Sequence, residues 1–246
     1  MTPCVLIAIY DHAATIEAVI DRLVPLGLPI LVIDDGSHEA TQCALERARS
    51  RHAAVSVLRH PHNQGRGAAL QAGYREAARR GFTHALQLDA DAQHDVADAP
   101  QFLSAAARNP SAIVLGARVA DPTAPRARRW GRWVSIVWVW IETCSLAVRD
   151  PLCGYRCMPL GATLAVLDHV ACGKHMEFDP EIVVRLVWSG APVINIPTHV
   201  RYYEDGISHF DVWRDNLRMI GTHTRLVVSL LPRLPGLLAR RVGARA

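Results

Sequence analysis

The stretch FTHALQLDADAQ, residues 82–93, is the most informative local pattern in this chain. It starts with a short apolar run of the length of a buried β-strand, and that run leads directly into two aspartates separated by one residue. Two carboxylates crowded at a strand end repel each other, and a hard divalent cation with oxygen ligands offsets that repulsion. The stretch therefore predicts a strand that ends in a cation site, with Asp89 and Asp91 as ligands and Gln93 as a third candidate. A solvated turn is the alternative interpretation.

Other β-rich runs alternate with helical patterns through the first half of the chain, which predicts an α/β fold with a mostly parallel sheet flanked by helices. In such sheets ligands bind beyond the carboxyl ends of the strands, where Asp34-Asp35 and Asp89-Ala90-Asp91 both fall. The predicted strands are Cys4–Ile9, Ile30–Ile33, Val55–Leu58, Phe82–Leu88 and Ile113–Leu115, and the predicted helices are Thr15–Leu23, Thr41–Arg51, Gly67–Arg80 and Ala99–Arg108.

The second half of the chain is less regular. Without a repeat or a linker, it favours one domain over residues 1–215, followed by an amphipathic, basic extension over residues 216–246. Its predicted elements are a tryptophan-rich helix over Trp130–Val148, a polar loop over Asp150–Arg156, a helix over Pro180–Ser189 with Asp179 as its N-cap, strands at Val193–Ile196 and Val200–Tyr203, and a helix over Val212–Leu231 that Pro232 and Pro235 end.

The composition excludes several classes of protein. Half of the 246 residues are hydrophobic and 20% are charged, which is too apolar for a disordered chain. The longest run without a charged residue is Leu186–Val200, and a bilayer span needs about 20 apolar residues. We therefore expect no transmembrane helix. The first residues have no basic segment of the kind that begins a signal peptide, so we expect a cytoplasmic protein.

Arginines supply nearly all of the positive charge, and they are clustered. One cluster lies between Arg126 and Arg132, and a second follows Asp215, after which no acidic residue occurs. Together with the tryptophans of the predicted helix over Trp130–Val148, these clusters favour peripheral binding to the anionic inner face of the cytoplasmic membrane. A core helix and a solvated tail are the alternatives. We expect no nucleic-acid binding, because no recognition motif accompanies the basic residues.

Two further motifs lie in loops at strand ends. The motif Asp34-Asp35-Gly36-Ser37 is explained either as a turn or as a pair of carboxylates that bind the base or ribose of a nucleotide. The motif His62-Asn63-Gln64-Gly65-Arg66-Gly67 opens a helix, whose free N–H groups can bind an anion. A flexible turn explains the second motif equally well.

Taken in order, these motifs resemble the family 2 glycosyltransferases of the GT-A fold, and most closely the dolichol- or polyprenol-phosphate mannosyltransferase branch. The chain is also similar to small bacterial glycosyltransferases of aryl-polyene pathways. The resemblance covers roughly residues 3–215. It rests on residues 7–12, the two loop motifs, Asp89-Ala90-Asp91-Ala92-Gln93, and the later segments 150–156, Glu177-Phe178-Asp179 and 206–210.

The resemblance implies a donor site for a UDP- or GDP-sugar. Asp34 and Asp35 would hold the base and ribose, with Tyr10 and Arg66 as further donor contacts. Asp89, Asp91 and Gln93 would bind Mg²⁺ or Mn²⁺ across the diphosphate. The family's usual Tyr-Asn-Glu is replaced here by Tyr10-Asp11-His12, which departs from the pattern expected to contact the ribose.

The resemblance also implies residues on the acceptor side. Arg156 and His209 would lie near the phosphates or the acceptor, and His209 stands where a lysine is common. Asp179 falls where many family 2 enzymes place an acidic base, and a helix cap is the alternative. Asp150 is a second candidate base, or it positions Arg156. A hydroxyl acceptor needs such a base, whereas a lipid phosphate is already an anion at pH 7.

The function implied is inverting, metal-dependent sugar transfer to a lipid-linked, polyprenyl-phosphate-like acceptor at the cytoplasmic membrane face. Transfer to a hydroxyl acceptor, such as an aryl polyene or another lipid, is the alternative within enzymes. A catalytically silent GT-A scaffold is an alternative of a different class. A nucleotidylyltransferase fits less well, because the glycine-rich first turn of that class does not follow Ile9.

Overall fold

A computed structural model describes residues 1–119, 126–201 and 211–243 of the chain. Its strands are β1 Pro3–Ile9, β2 Ile30–Asp34, β3 Val55–Arg59, β4 His84–Asp89, β5 Ile113–Arg118, β6 Arg156–Pro159 and β7 Val193–Thr198. Its helices are α1 Ala13–Leu23, α2 Glu39–Arg51, α3 Arg66–Arg79, α4 Ala99–Arg108, α5 Arg126–Thr143, α6 Leu160–His169, α7 Phe178–Trp188, α8 Val212–Leu230 and α9 Leu234–Gly243.

The strands form one sheet in the order β3-β2-β1-β4-β6-β5-β7. Neighbours pair in parallel except at β6, which runs antiparallel to both β4 and β5. The predicted α/β architecture with a mostly parallel sheet is therefore confirmed. The single reversed strand lies next to β4, so the loop that precedes β6 reaches the same edge of the sheet as the carboxyl end of β4.

Both faces of the sheet are buried, which explains why β1 and β2 are apolar at almost every position rather than at alternate ones. Along β1, Leu6 contributes to one core and its neighbours Val5 and Ile7 contribute to the other. Helices α1, α2 and α4 cover the second core, and α3, α6 and α7 cover the first, together with parts of α5 and α8.

The carboxyl ends of β2, β1 and β4 meet at one edge. Residue Ala8 near the end of β1 pairs with Asp89 of β4, and Ile9 pairs with Asp34 of β2. Because the strands are parallel neighbours, the two acidic motifs lie on either side of the end of β1. The expectation that both motifs fall at one edge of the sheet is confirmed.

Two predicted boundaries around α5 and β6 are wrong. The helix predicted over Trp130–Val148 ends at Thr143, because the next residue, Cys144, adopts the left-handed conformation with φ 47°. The loop predicted over Asp150–Arg156 is shorter, since Arg156 already pairs with Gln87 in the sheet. Sequence periodicity did not indicate the short strand β6 or the helix α6 that follows it.

Three predictions in the last third of the chain also need correction. Helix α7 begins two residues earlier than predicted, and its N-cap is Glu177 rather than Asp179. Val200 makes only an isolated bridge to His94, and the rest of the strand predicted there, residues 202–203, lies outside the described residues. The prolines after α8 do not stop the helical path. Pro232 and Pro235 stand in the first turns of a short 3₁₀-helix and of α9, where a proline loses no hydrogen bond.

Helix α8 begins four residues before residue 216, where the predicted extension starts, and it packs on α5 and α7. The division at residues 215 and 216 stays a prediction. Among the helices that the structure describes, none is both long and apolar enough to cross a bilayer.

A buried acid–histidine pair joins α8 to α5. Glu142 of α5 is fully buried, and its Oε1 lies 2.7 Å from Nδ1 of His223. Burial raises the pKa of Glu142, and the bond to His223 opposes that shift. The carbonyl of Glu142 also accepts a hydrogen bond from the indole of Trp188 in α7, so three helices meet at this residue.

We predict that replacing His223 with Leu lowers the free energy of unfolding by about 3 kcal/mol, because it leaves a buried carboxyl without a partner. Replacing Glu142 with Leu as well should recover most of that loss, since two apolar side chains need no partner. Urea denaturation of both variants measures the effect, with exposed Thr224→Ala in the same helix as a control. Equal destabilisation by the single and double replacements would contradict the pairing.

Candidate active site

A cleft of about 530 Å³ lies at the carboxyl ends of β1, β2 and β4. Residues that follow each of these strands line it, and so do side chains from α3, α7 and the first turns of α8. Of the residues predicted from the sequence, seven line the cleft together: Tyr10, Asp35, Arg66, Asp89, Asp91, Gln93 and Asp179. The side chains of Asp34, Asp150 and Arg156 lie behind its wall.

Asp34 is completely buried at the end of β2. Its Oδ1 accepts a hydrogen bond of 2.9 Å from the backbone N–H of Ser37, and its Oδ2 accepts one of 2.7 Å from Nε of Arg59. Both carboxylate oxygens are therefore occupied by protein groups. In this arrangement Asp34 shapes the turn, and the predicted contact to a nucleotide stays a prediction.

Asp35 faces the cleft and also fastens the next loop to the sheet. Its carboxylate accepts hydrogen bonds from the backbone N–H groups of Gln64 and Gly65, the latter at 2.8 Å. Nδ1 of His60 lies 2.7 Å from its Oδ1. The two loop motifs found in the sequence are thus one structural unit, because the acid of the first motif holds the glycine-containing loop of the second.

The start of α3 is more enclosed than the sequence suggested. Gly65 adopts φ 103°, and a Cβ at this position would overlap His175 and the carbonyl of Lys174. That carbonyl also accepts a hydrogen bond of 2.9 Å from the N–H of Ala68. One of the helix N–H groups that we expected to be free for an anion is therefore used by the protein itself.

Arg66, the first residue of α3, holds two acids that come from distant parts of the chain. Its Nη1 lies 2.6 Å from Oδ1 of Asp89, and its Nε donates a hydrogen bond of 2.9 Å to Oδ2 of Asp179. Burial would lower the pKa of Arg66, but the two carboxylates outweigh it and hold that pKa above its usual value. The guanidinium is a fixed positive charge at the centre of the cleft.

Asp89 sits in a tight cradle at the end of β4. Its Oδ2 lies 3.1 Å from Nε2 of His94, and a Cβ at Gly154 would overlap the carboxylate. Burial would raise the pKa of Asp89, but Arg66 and His94 outweigh it and hold that pKa far below its usual range. Sequence reasoning missed both His94 and Gly154, although His94 closely follows the Asp-Ala-Asp motif.

Asp91 lies in the turn that follows β4. Its Oδ1 accepts a hydrogen bond of 3.0 Å from the N–H of Gln93, and Ala92 between them adopts the left-handed conformation with φ 62°. Burial raises the pKa of Asp91, and the negative charge of Asp89 raises it further. The two aspartates therefore repel each other in the structure, as the sequence predicted.

The Asp89–Asp91 pair fits a hard divalent cation. Both side chains line the cleft with carboxylate oxygens, the ligands that such cations prefer, and Oδ1 of Asp89 also lies 2.6 Å from Nη1 of Arg66. A cation there would also relieve the repulsion between the two acids. Over the described ranges, no group of three or more histidine, cysteine or acidic side chains is arranged to hold a metal. An ion bound at this pair would thus need additional ligands.

Asp179 faces the cleft from the first turn of α7 and does not cap that helix. Besides Arg66, it contacts Arg156, whose Nη1 lies 3.2 Å from its Oδ1. The side chain of Arg156, which we expected near the phosphates or the acceptor, is completely buried. Its guanidinium donates hydrogen bonds to the carbonyls of Asp179, Cys153 and Pro151, so it braces the wall behind Asp179.

Asp150 pairs with Arg118 and not with Arg156. Nε and Nη2 of Arg118 lie 2.7 and 2.9 Å from the two carboxylate oxygens, and the backbone N–H of Leu152 donates a third bond. The hypothesis that Asp150 positions Arg156 is therefore wrong. Arg118 itself lines the cleft, and nothing in the sequence had marked it.

Helix α8 contributes a wall of the cleft that sequence reasoning did not predict. Asp211 caps this helix by accepting hydrogen bonds from the N–H groups of Trp213 and Arg214. The side chains of α8 that line the cleft are Arg214, Asp215, Arg218 and Met219. In the sequence, Asp211 directly before an amphipathic run indicates where this helix begins. His209, which we predicted to lie near the phosphates or the acceptor, is outside the described residues.

Solved structures with the same architecture are glycosyltransferases. Glucosyl-3-phosphoglycerate synthase from Mycobacterium tuberculosis, solved with Mn²⁺ and UDP-glucose, superposes with a TM-score of 0.64 at 17% identity, over 94% of this chain and 78% of that one. Mannosyl-3-phosphoglycerate synthase from Rubrobacter xylanophilus gives 0.67 at 15% identity, over 96% and 75%. The sheet, the cleft at its strand ends and this likeness define the GT-A fold.

The family model for glycosyl transferase family 2 matches residues 4–161, and the chain belongs to that family. An undecaprenyl-phosphate mannosyltransferase from Micrococcus luteus is 26% identical over 68% of this chain and 70% of its own length. A polyprenol monophosphomannose synthase from Mycolicibacterium smegmatis is 26% identical over 73% and 69%. A dolichyl-phosphate β-glucosyltransferase from Trichomonas vaginalis is 28% identical over 63% of this chain, which spans 49% of that relative's length.

We predict that Gly154→Ala lowers sugar-transfer activity by about 100-fold, because the added Cβ displaces the carboxylate of Asp89. Gly161→Ala in α6 is the matched control, since a Cβ there meets no atom within 4 Å. Initial rates of both variants at saturating donor measure the effect, and circular dichroism checks the fold. A Gly154→Ala variant as active as the Gly161→Ala variant would show that the close approach to Asp89 has no part in activity.

Proposed function

We propose that this protein transfers a sugar, with inversion, from a nucleoside-diphosphate donor to a polyprenyl-phosphate-type lipid at the inner face of the cytoplasmic membrane, using Mg²⁺ or Mn²⁺. The observation that carries the proposal is the Asp89–Asp91 pair at the sheet edge, beside the partly buried guanidinium of Arg66. The family membership and the three relatives that act on polyprenol-type phosphates support it.

The proposed binding of the nucleoside-diphosphate donor depends on the charged side chains in the cleft. A sugar leaving a nucleoside diphosphate places growing negative charge on the departing phosphate, and a divalent cation supplies Lewis-acid stabilisation of that charge when bound. Asp89 and Asp91 would hold the cation, with Gln93 beside them. Arg66 contacts the carboxylates of both Asp89 and Asp179 and holds them in position. Asp35 and Tyr10 line the part of the cleft next to β1 and β2, where the base and ribose would lie.

The acceptor side rests on the contacts of Asp179. Guanidinium groups of Arg66 and Arg156 contact its two carboxylate oxygens, so both oxygens that could face an acceptor hydroxyl are already engaged by the protein. A lipid phosphate has no proton to lose at the attacking oxygen, because it is an anion at pH 7. The arrangement therefore favours a phosphate acceptor over a hydroxyl acceptor. Asp150, paired with Arg118 behind the wall, is no better placed as a base.

We predict that Asp91→Asn lowers transfer by about 100-fold or more and that excess EDTA abolishes it, with recovery on adding Mn²⁺ or Mg²⁺. The assay measures labelled sugar transferred from UDP-glucose or GDP-mannose to a short polyprenyl phosphate. Asp168→Asn is the matched control, since Asp168 is exposed on α6 and distant from the cleft. Transfer that is unaffected by both EDTA and Asp91→Asn would overturn the metal role.

We predict that the protein glycosylates undecaprenyl phosphate but not undecaprenol under the same conditions. The two lipids differ only in the phosphate, which supplies the nucleophile without a base. Thin-layer chromatography of the labelled lipid products measures the difference. Efficient transfer to undecaprenol, lost in Asp179→Asn, would instead establish a hydroxyl acceptor with Asp179 as its base.

A further inference from the structure

Helix α5 exposes six apolar side chains, and it buries polar side chains together with Ile136 and Val139. The exposed positions recur at the three- and four-residue spacing of a single helix face. Trp130, at one end of this face, is 74% exposed. The buried face of the same helix includes Ser135, Glu142 and Thr143. The exposed side chains are Trp130, Trp133, Val134, Val137, Trp138 and Ile141.

Helix α8 also buries polar side chains, Asp215, Thr222 and His223, beside Leu226 and Leu230, whereas Trp213 at its start is 81% exposed. An ordinary surface helix buries its apolar face and exposes its polar one. Two neighbouring helices that each leave more apolar side chains exposed than buried indicate a surface adapted to an apolar environment outside the protein. The exposed apolar side chains of α8 are Val212, Trp213, Leu217, Ile220 and Val228.

The two exposed faces adjoin each other. Trp138 of α5 stacks its ring on His223 of α8, with ring centroids 5.9 Å apart, and His223 is also bonded to Glu142 of α5. We call these exposed apolar side chains of α5 and α8 together the α5–α8 face. It borders the cleft, because Arg214 and Arg218 line the cleft beside Trp213 and Leu217 on the same turns of α8.

The positive charge around the α5–α8 face favours an anionic membrane over a second copy of the chain as its binding partner. The acidic residues within α5 and α8, Glu142 and Asp215, are both buried. A second copy of the chain docked face to face would bring like charges together, because the two helices hold seven arginines and two acidic residues, whereas anionic lipid headgroups complement that excess. Arg214, Arg218 and Arg225 each pair with an acidic side chain but remain 79%, 39% and 49% exposed. Tryptophan with arginine is typical of a segment lying at headgroup depth. The arginines of the two helices are Arg126, Arg128, Arg129 and Arg132 in α5, and Arg214, Arg218 and Arg225 in α8.

We infer that the α5–α8 face docks this protein flat on an anionic bilayer, with the mouth of the cleft at the level of the headgroups. The inference deepens the proposed function and rests on it, because a polyprenyl phosphate presents its phosphate at that depth. Docking of this kind lets the acceptor phosphate approach the cleft beside Arg214 and Arg218 while its chain stays in the membrane. The binding is reversible, since the contact is a surface contact of two helices.

The test is flotation of the full-length protein with vesicles of phosphatidylcholine alone or mixed with phosphatidylglycerol. We expect flotation with the mixed vesicles only, and a marked decrease at high salt, because headgroup attraction is screened. Brominated lipids in the same vesicles should quench tryptophan fluorescence, since tryptophans form much of the face. This second readout uses the unaltered protein and does not depend on any variant folding.

Leu217→Glu should weaken vesicle binding by about tenfold or more, because it places a charge in the apolar contact. Leu58→Glu on edge strand β3 is the matched control and should bind as the unaltered protein does. Absence of flotation, or equal flotation of the two variants, would overturn the proposal. A dimer in sedimentation that Leu217→Glu dissociates, without any vesicle binding, would assign the face to a second copy instead.

Binding of UDP or GDP in the presence of Mn²⁺, measured without vesicles, separates this inference from the proposed function. Nucleotide binding without vesicle binding would leave the enzyme proposal in place and remove the docking face. Vesicle binding without nucleotide binding would remove the proposed function, and with it the link between docking and access to a lipid acceptor.

Discussion

The active-site cleft depends on one balance of charge at the edge of the sheet. Asp89, Asp91 and Asp179 converge there, and such a group of partly or fully buried carboxylates is unfavourable without positive charge. Arg66 supplies that charge to Asp89 and Asp179, and Arg156 supports Asp179 from behind. Within the described part of the chain, Asp91 has no comparable arginine, and burial and Asp89 raise its pKa. The charge that remains uncompensated therefore lies where a cation fits.

This balance explains several features of the backbone. Gly154 must lack a side chain because the carboxylate of Asp89 occupies the space of its Cβ. The antiparallel strand β6 brings that glycine and Arg156 to the edge where β4 ends. Asp35 ties the loop before α3 to β2, which sets the position from which Arg66 reaches both acids. The fold, the loops and the charges thus specify one arrangement.

Helix α8 connects the cleft with the outer surface of the protein. Helix α8 lines the cleft with Arg214 and Arg218, faces the protein with His223, and turns Trp213 to solvent. One helix therefore belongs to the site, the core and the proposed membrane contact at the same time. For an enzyme whose proposed acceptor is a lipid, this arrangement connects the place of binding with the place of chemistry. The pair Glu142–His223 fixes α8 in this position.

Local patterns in the chain are enough to predict the α/β class, the central strands and the acids at their ends, because apolar runs and strand-end motifs involve only neighbouring residues. They are not enough to predict β6, α6 or the end of α5, because these depend on contacts with residues elsewhere in the fold. The pairings of Arg66 with Asp89 and Asp179 and of Asp150 with Arg118, and the burial of Arg156, follow from the folded arrangement alone. A charge is neutralised by whichever opposite charge the fold brings within a few ångströms, and separation along the chain does not specify that distance.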